Sequence, residues 1–245
     1  MQPSPNYLRI YPLSEKAVSI AFGQTISEQN LRDIALLNKL IEQQPLPGLL
    51  STVPAYATLT LFYEPGTVKA LHSLKGETCA EKIKTYIDGL GASSNNGVEV
   101  NSRRITIPVC YEGDYAPDLN FVAEHNNLKP GEVVHLHSSV TYKVYMIGFV
   151  PGFAYLGGMD KRIATPRLSK PRTVIPAGSV GIAGEQTGVY PLTTPGGWQL
   201  IGRTPVQLFN PLAEAPALLK AGDEVIFKSI SLTEFNEYLH ENPYR

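Results

Sequence analysis

The sequence predicts a small α+β domain over residues 1–92, followed by a mainly β, barrel-forming domain over residues 98–245. Three observations predict it. Residues up to about 92 alternate short β-branched runs with segments of helical periodicity. A small, polar stretch, Gly91–Gly97 (GASSNNG), separates them from the rest of the chain. Downstream, residues 147–211 hold 11 of the 21 glycines and 8 of the 20 prolines. Proline removes ladder donors and glycine admits left-handed backbone, so helices are excluded over most of that stretch. Strands between frequent turns suggest a closed or nearly closed barrel, which leaves no exposed edges.

In the first domain, Tyr7–Tyr11 and Ala17–Phe22 read as short strands. Thr25-Ile-Ser-Glu28 fits a capping box, and Leu31, Ile34, Ala35, Asn38 and Ile41 come after it at helical spacing until Pro45 and Pro47. Ala57–Tyr63 is a strand of β-branched and aromatic residues. Val68, Leu71 and Leu74 suggest a short helix stopped by Gly76, and Thr78-Cys-Ala-Glu81 is a second capping box ahead of Ile83, Ile87 and Leu90. The outline is β-β-α-β-β-α, with helices on one face of a sheet. In the second domain, Arg103–Val109 is a strand, Asp118 caps a short helix running to His125, Glu132–Ser138 is helical, and Thr141–Phe149 is a strand. Short strands then run to Ile230, and Thr233–Leu239 forms a terminal helix.

Charge and composition restrict the function. The 245 residues carry a formal net charge of −1, which gives no electrostatic reason for a nucleic acid or an anionic membrane as the main partner. Two cysteines, Cys79 and Cys110, form neither a CxxC nor a metal cluster, which fits a reducing compartment. The N-terminal residues do not read as a signal peptide, and no uncharged apolar run is long enough to span a bilayer, so a cytoplasmic protein is expected. There is no GxxxxGK[ST] and no GxGxxG, so neither a P-loop nor a Rossmann fingerprint holds a nucleotide. Gly178-Ser-Val-Gly181 resembles part of a nucleophile elbow but lacks its first glycine and its helix. His135 and His137 on a helix point to nearly opposite sides and could not share a metal; on a strand they could, but no third ligand is visible nearby, so both read as surface residues and no metal site is assigned.

The informative block is Phe149–Pro211. Phe149, Phe153 and Tyr155 lie on a strand-to-loop transition and read either as core aromatics or as one wall of a cleft. A basic cluster comes next, with Pro166-Arg167 and Pro171-Arg172 placing two guanidinium groups on a proline-stiffened loop; it is either a solvated loop or a carboxylate or phosphate clamp. Residues 173–202 contain one charge, Glu185, beside Gln186, Thr187 and Tyr190. An isolated carboxylate in such a stretch is at the surface, paired, or working as a base, with Gln186 and Thr187 able to donate to a developing negative oxygen. Trp198, beside Gly196 and Gly197, suggests a place where a ligand or another backbone approaches closely. Candidate catalytic residues are therefore Glu185, Gln186 and Tyr190, and candidate substrate-binding residues are Arg167, Arg172, Ser179, Thr187, Trp198 and Arg203.

GFVPGFAYLGGMD (148–160), PRLSKPR (166–172), VIPAGSVGIAGEQTGVYP (174–191), PGGWQLIGRTP (195–205) and LFNP (208–211) together resemble the family of 5-oxoprolinase B subunits, also described as allophanate hydrolase subunit 1 domains or the KipI family. The likeness continues into LLKAGDEVIF (218–227) and is looser toward the N-terminus. It departs from the family pattern at Glu112, Ala116 and Asn210, so Asn210 is left out of the site. The resemblance implies a cyclophilin-like barrel as the second domain. It also implies an ATP-dependent opening of 5-oxo-L-proline to L-glutamate, completed by C and A subunits, with ATP shared among them. It carries two rivals: a KipI-like inhibitor of a histidine kinase, and a part of a urea carboxylase or allophanate hydrolase system.

Overall fold

The computed structural model describes residues 9–25, 27–93 and 102–241. The chain divides into two compact units, Met1–Asn101 and Ser102–Arg245. Of the polar stretch Gly91–Gly97, the first three residues continue a helix and residues 94–97 lie outside the described residues.

Unit one contains strands β1 (Arg9–Ser14), β2 (Ala17–Ala21), β3 (Leu49–Pro54) and β4 (Thr58–Tyr63), with helices α1 (Glu28–Gln43), α2 (Pro65–Lys69) and α3 (Cys79–Ser93). The sheet is antiparallel in the order β1-β2-β4-β3. The first expected strand begins at Arg9 here, Tyr7 and Leu8 lying outside the described residues. The expected pattern leaves β3 without assigned residues; it forms at Leu49–Pro54, beside β4. Val18, Ile20, Leu59 and Leu61 share one core with Ile34, Leu37 and Ile41 of α1 and Ile83 and Ile87 of α3. The Thr78–Glu81 box forms as expected: the Thr78 hydroxyl accepts from the Glu81 N–H at 3.2 Å, and the Glu81 carboxylate accepts from the Thr78 N–H at 3.1 Å. The Thr25–Glu28 box does not. Helix α1 is capped two residues later, by the Ser27 hydroxyl accepting from the Asn30 N–H at 3.1 Å, and the Asn30 amide donates to the Thr25 carbonyl.

Unit two is built on a closed seven-stranded barrel. Its strands are β5 (Arg104–Cys110), β6 (Thr141–Ile147), β7 (Ala154–Gly157), β9 (Ser179–Ala183), β10 (Gln186–Val189), β12 (Gln199–Arg203) and β13 (Glu224–Ile230), closed in the order β10-β7-β6-β13-β5-β12-β9. The β13–β5 pair is parallel and the other pairs are antiparallel. A two-stranded flap, β8 (Arg172–Ile175) with β11 (Thr194–Gly196), stands beside it. Helices α4 (Leu119–His125), α5 (Pro130–Ser138) and α6 (Leu232–Glu241) complete the unit. Between β6 and β13 the described chain makes only one short 3-10 turn, Lys161–Ile163, as the glycines and prolines require.

The core of this unit is mainly apolar, and one ionisable ring is buried in it. His137, at the end of α5, is fully buried and stacks on Phe227 at 4.6 Å. The surface position expected for it is wrong, whereas His135 is exposed. Tyr111 Oη lies 2.8 Å from His137 Nδ1, and Thr187 Oγ1 lies 2.8 Å from His137 Nε2. Thr187 spends its proton on the Gly181 carbonyl at 3.0 Å, so its oxygen accepts from Nε2–H and Nδ1 accepts from Tyr111. That chain of donors fixes a neutral imidazole, and burial holds its pKa down at about 3.

Candidate functional site

Three of the expected residues meet in one place. Arg172 at the start of β8, Ser179 at the start of β9 and Arg203 at the end of β12 line a cavity of about 200 Å³, together with Asp114, Tyr115, Pro117 and Leu200. Antiparallel pairing brings Arg203 opposite Ser179, and Arg203 also faces Cys110 of β5. Arg203 donates through Nε to the Ala177 carbonyl at 3.0 Å, and its guanidinium carbon lies 5.5 Å from the centre of the Tyr115 ring. Among the described residues it has no carboxylate partner within ion-pair distance. A neighbouring, larger and mostly apolar cavity of about 390 Å³ shares Arg203 and Tyr115 with the first.

The residue that organises the cavity is one for which the sequence suggests a different job. Asp118 occupies the N-cap position of α4, but its side chain makes no capping bond. Its carboxylate turns toward the barrel instead. Oδ1 accepts from Arg172 Nη2 at 2.7 Å, and Oδ2 accepts from the Leu200 N–H at 2.6 Å. The Asp118 N–H donates to the Leu200 carbonyl at 2.9 Å, so the residue behaves as an extra rung on β12. A buried carboxylate needs a cation and donors to offset its lost hydration, and Asp118 has both. The spacing to Arg172 and Leu200 is too long in sequence for any local pattern to reveal. Arg172 Nη1 and Gln199 Oε1 are buried without a hydrogen-bond partner among the described residues.

The remaining candidates lie in three other settings. Tyr190 and Trp198 are buried with Phe153 in an aromatic cluster of edge-to-face contacts at 5.4 to 6.4 Å. Arg167 stands over the Trp198 ring at 5.9 Å. Burial raises the Tyr190 phenol above its ordinary value, against the opposing pull of Arg167 and Arg172. Several glycines near Trp198 serve this cluster: a Cβ on Gly188 meets Phe153 and Trp198, one on Gly181 meets Trp198, and one on Gly196 meets Tyr190 and Ile175, while at Gly197 the Leu168 N–H donates to its carbonyl at 2.7 Å. Thr187 is inside the barrel on His137. Glu185 sits at the β9–β10 hairpin tip, exposed, with Lys161 at 3.5 Å, and Gln186 is the next residue along. Strand β9, at roughly 3.3 Å per residue, puts about 13 Å between Ser179 and Ala183. Glu185 lies beyond Ala183, out of reach of a group bound by Arg203. The hairpin tip that carries Glu185 and Gln186 is at the other end of β9 from Arg203, and Thr187 is turned into the barrel.

These features place the chain in a class. The family described as carboxyltransferase domain, subdomain C and D, matches residues 8–219. A relative from Bacillus subtilis, named as the B subunit of 5-oxoprolinase, is 48% identical over 235 residues, 96% of this chain and 98% of its own length. The chain belongs to the family of 5-oxoprolinase B subunits. The crystal structure of TTHA0988 superposes with a TM-score of 0.75 at 35% identity, over 88% of this chain; the chain spans 40% of the length of that solved protein. The urea carboxylase of Kluyveromyces lactis shares the fold, with a TM-score of 0.68 at 16% identity, over 97% of this chain and 24% of the other.

Proposed function

We propose that the chain is the B subunit of an ATP-dependent 5-oxoprolinase, opening 5-oxo-L-proline to L-glutamate together with A and C subunits and inactive alone. The observation that carries this reading is the end-to-end match with the Bacillus subtilis protein of that name. The chemistry is consistent with it. A five-membered lactam is an amide whose closed form is favoured by proximity, so its opening needs activation. The substrate carries a carboxylate, and the cavity of Arg172, Ser179 and Arg203 offers guanidinium donors and a hydroxyl for it. Its size does not fit a nucleotide, and the sequence has no P-loop. ATP is therefore assigned to a site built with the partner subunits, and so is the base that activates water, because Glu185 is distant from the cavity. We read the barrel as cyclophilin-like in topology, without isomerase activity, since function belongs to the site. A cytoplasmic location belongs to the same reading; among the described residues no helix is long and apolar enough to cross a membrane.

The test is reconstitution. Purified A, B and C proteins mixed with 5-oxo-L-proline and ATP release glutamate and phosphate, and omission of this chain abolishes release. Equal turnover without it defeats the assignment.

A further inference from the structure

We propose that the cavity of Arg172, Ser179 and Arg203 is a monocarboxylate subsite in which Arg203 carries the effective charge, while Asp118 cancels Arg172 and excludes phosphate. The inference rests on the reading above for the identity of the acid, but not for the charge balance.

Two arginines on one small cavity suggest a phosphate clamp at first sight. The partners of each argue otherwise. Arg172 reaches the cavity wall already paired, Nη2 to Asp118 Oδ1 at 2.7 Å. Asp118 is held from behind by the Leu200 N–H, and its side chain is only 11% exposed, so the pair is a fixed dipole and not a mobile surface contact. Arg203 has no such partner among the described residues; its Nε is used on the Ala177 carbonyl, and the Tyr115 ring supports its face. Its terminal nitrogens remain for a ligand, in the planar fork that matches a carboxylate. The only other ionic residue lining the cavity is Asp114, which is exposed. Arg172 and Asp118 cancel, and Arg203 stands against a solvent-screened Asp114. A single negative charge is matched by that arrangement. A dianion feels twice the attraction and twice the repulsion from the same charges, but its desolvation cost rises with the square of its charge, and among the described residues lining the cavity it finds no second unneutralised cation to offset that cost. At about 200 Å³ the space suits a small cyclic acid, below the roughly 300–1,000 Å³ of sites that enclose larger ligands.

Direct binding to the full chain, alone and mixed with A and C subunits, tests this by calorimetry and amide chemical shifts. The probes are 5-oxo-L-proline, its neutral carboxamide, cyclopentanecarboxylate and inorganic phosphate. The two carboxylates are expected to bind at least tenfold more tightly than the carboxamide or phosphate. Arg203→Gln, at a half-buried side chain whose loss breaks no ion pair, is expected to abolish that preference. Asp118→Asn unmasks Arg172 and raises phosphate affinity several-fold. Phosphate binding to the unaltered chain as tightly as the carboxylates, carboxylate binding unchanged by Arg203→Gln, or no carboxylate binding under either condition overturns the proposal. Binding of cyclopentanecarboxylate through Arg203 without 5-oxo-L-proline upholds the subsite and removes oxoproline as its ligand. Because turnover is not the readout, failure of the enzymatic reading stays separate from failure of the subsite.

Discussion

Acidification should loosen the barrel through His137. In the folded chain the imidazole is neutral, accepting from Tyr111 and donating to Thr187, with no carboxylate paired to it among the described residues and Phe227 and Tyr142 against its ring. Its folded pKa of about 3 lies below the ordinary value of 6.5. Above pH 6.5 neither state is protonated and the group has no effect on stability. As the pH falls below 6.5, the unfolded chain binds a proton that the folded chain refuses, so stability drops. The slope approaches about 1.4 kcal/mol per pH unit, giving a loss of about 2 kcal/mol between pH 7 and pH 5 and about 4 kcal/mol by pH 3. Trp198, the single tryptophan, is buried within the barrel unit, so its fluorescence in urea reports that unit separately from the other. The comparison is with His137→Gln, which removes the titration. The unaltered chain should lose about 2 kcal/mol more than the variant between pH 7 and pH 5. Parallel losses would refute the buried neutral imidazole.

Two further substitutions test the placement of single side chains. Glu185→Gln removes only an exposed contact with Lys161, so stability should stay within about 0.5 kcal/mol and turnover in the reconstituted mixture should be retained; a hundredfold loss of turnover would restore the base role to Glu185. Ser27→Ala should cost about 1 kcal/mol in the first unit, seen as a lower urea midpoint by circular dichroism, while Thr25→Ala costs only a few tenths; the reverse order would return the cap to Thr25.

Local chemistry was legible in the sequence where a single local solution was on offer. The Thr78–Glu81 box, the periodicity of α1 and α3 and the exclusion of helices from the Gly/Pro-rich block all depend on residues a few positions apart. The family motifs also marked the segment from which Arg172, Ser179 and Arg203 come. Where two local solutions competed, as Thr25 and Ser27 did for the α1 cap, sequence alone chose wrongly, because backbone entry geometry decides which hydroxyl reaches an N–H.

What depended on distant partners was decided only by the closed barrel. Asp118 has the sequence of a helix cap and the position of one. Its carboxylate nevertheless finds a cation 54 residues away and a strand N–H 82 residues away, and the cation is a partner that the helix end does not offer. His137 looked like a surface residue until Tyr111 and Thr187 satisfied both ring nitrogens inside the barrel. Glu185 and Arg203, eighteen residues apart in the chain, are sent to opposite ends of strand β9 by hairpin register. Composition and spacing determine which groups this protein has to work with. Strand pairing determines which of them share a cavity, because register fixes direction and depth for every side chain along a strand at once.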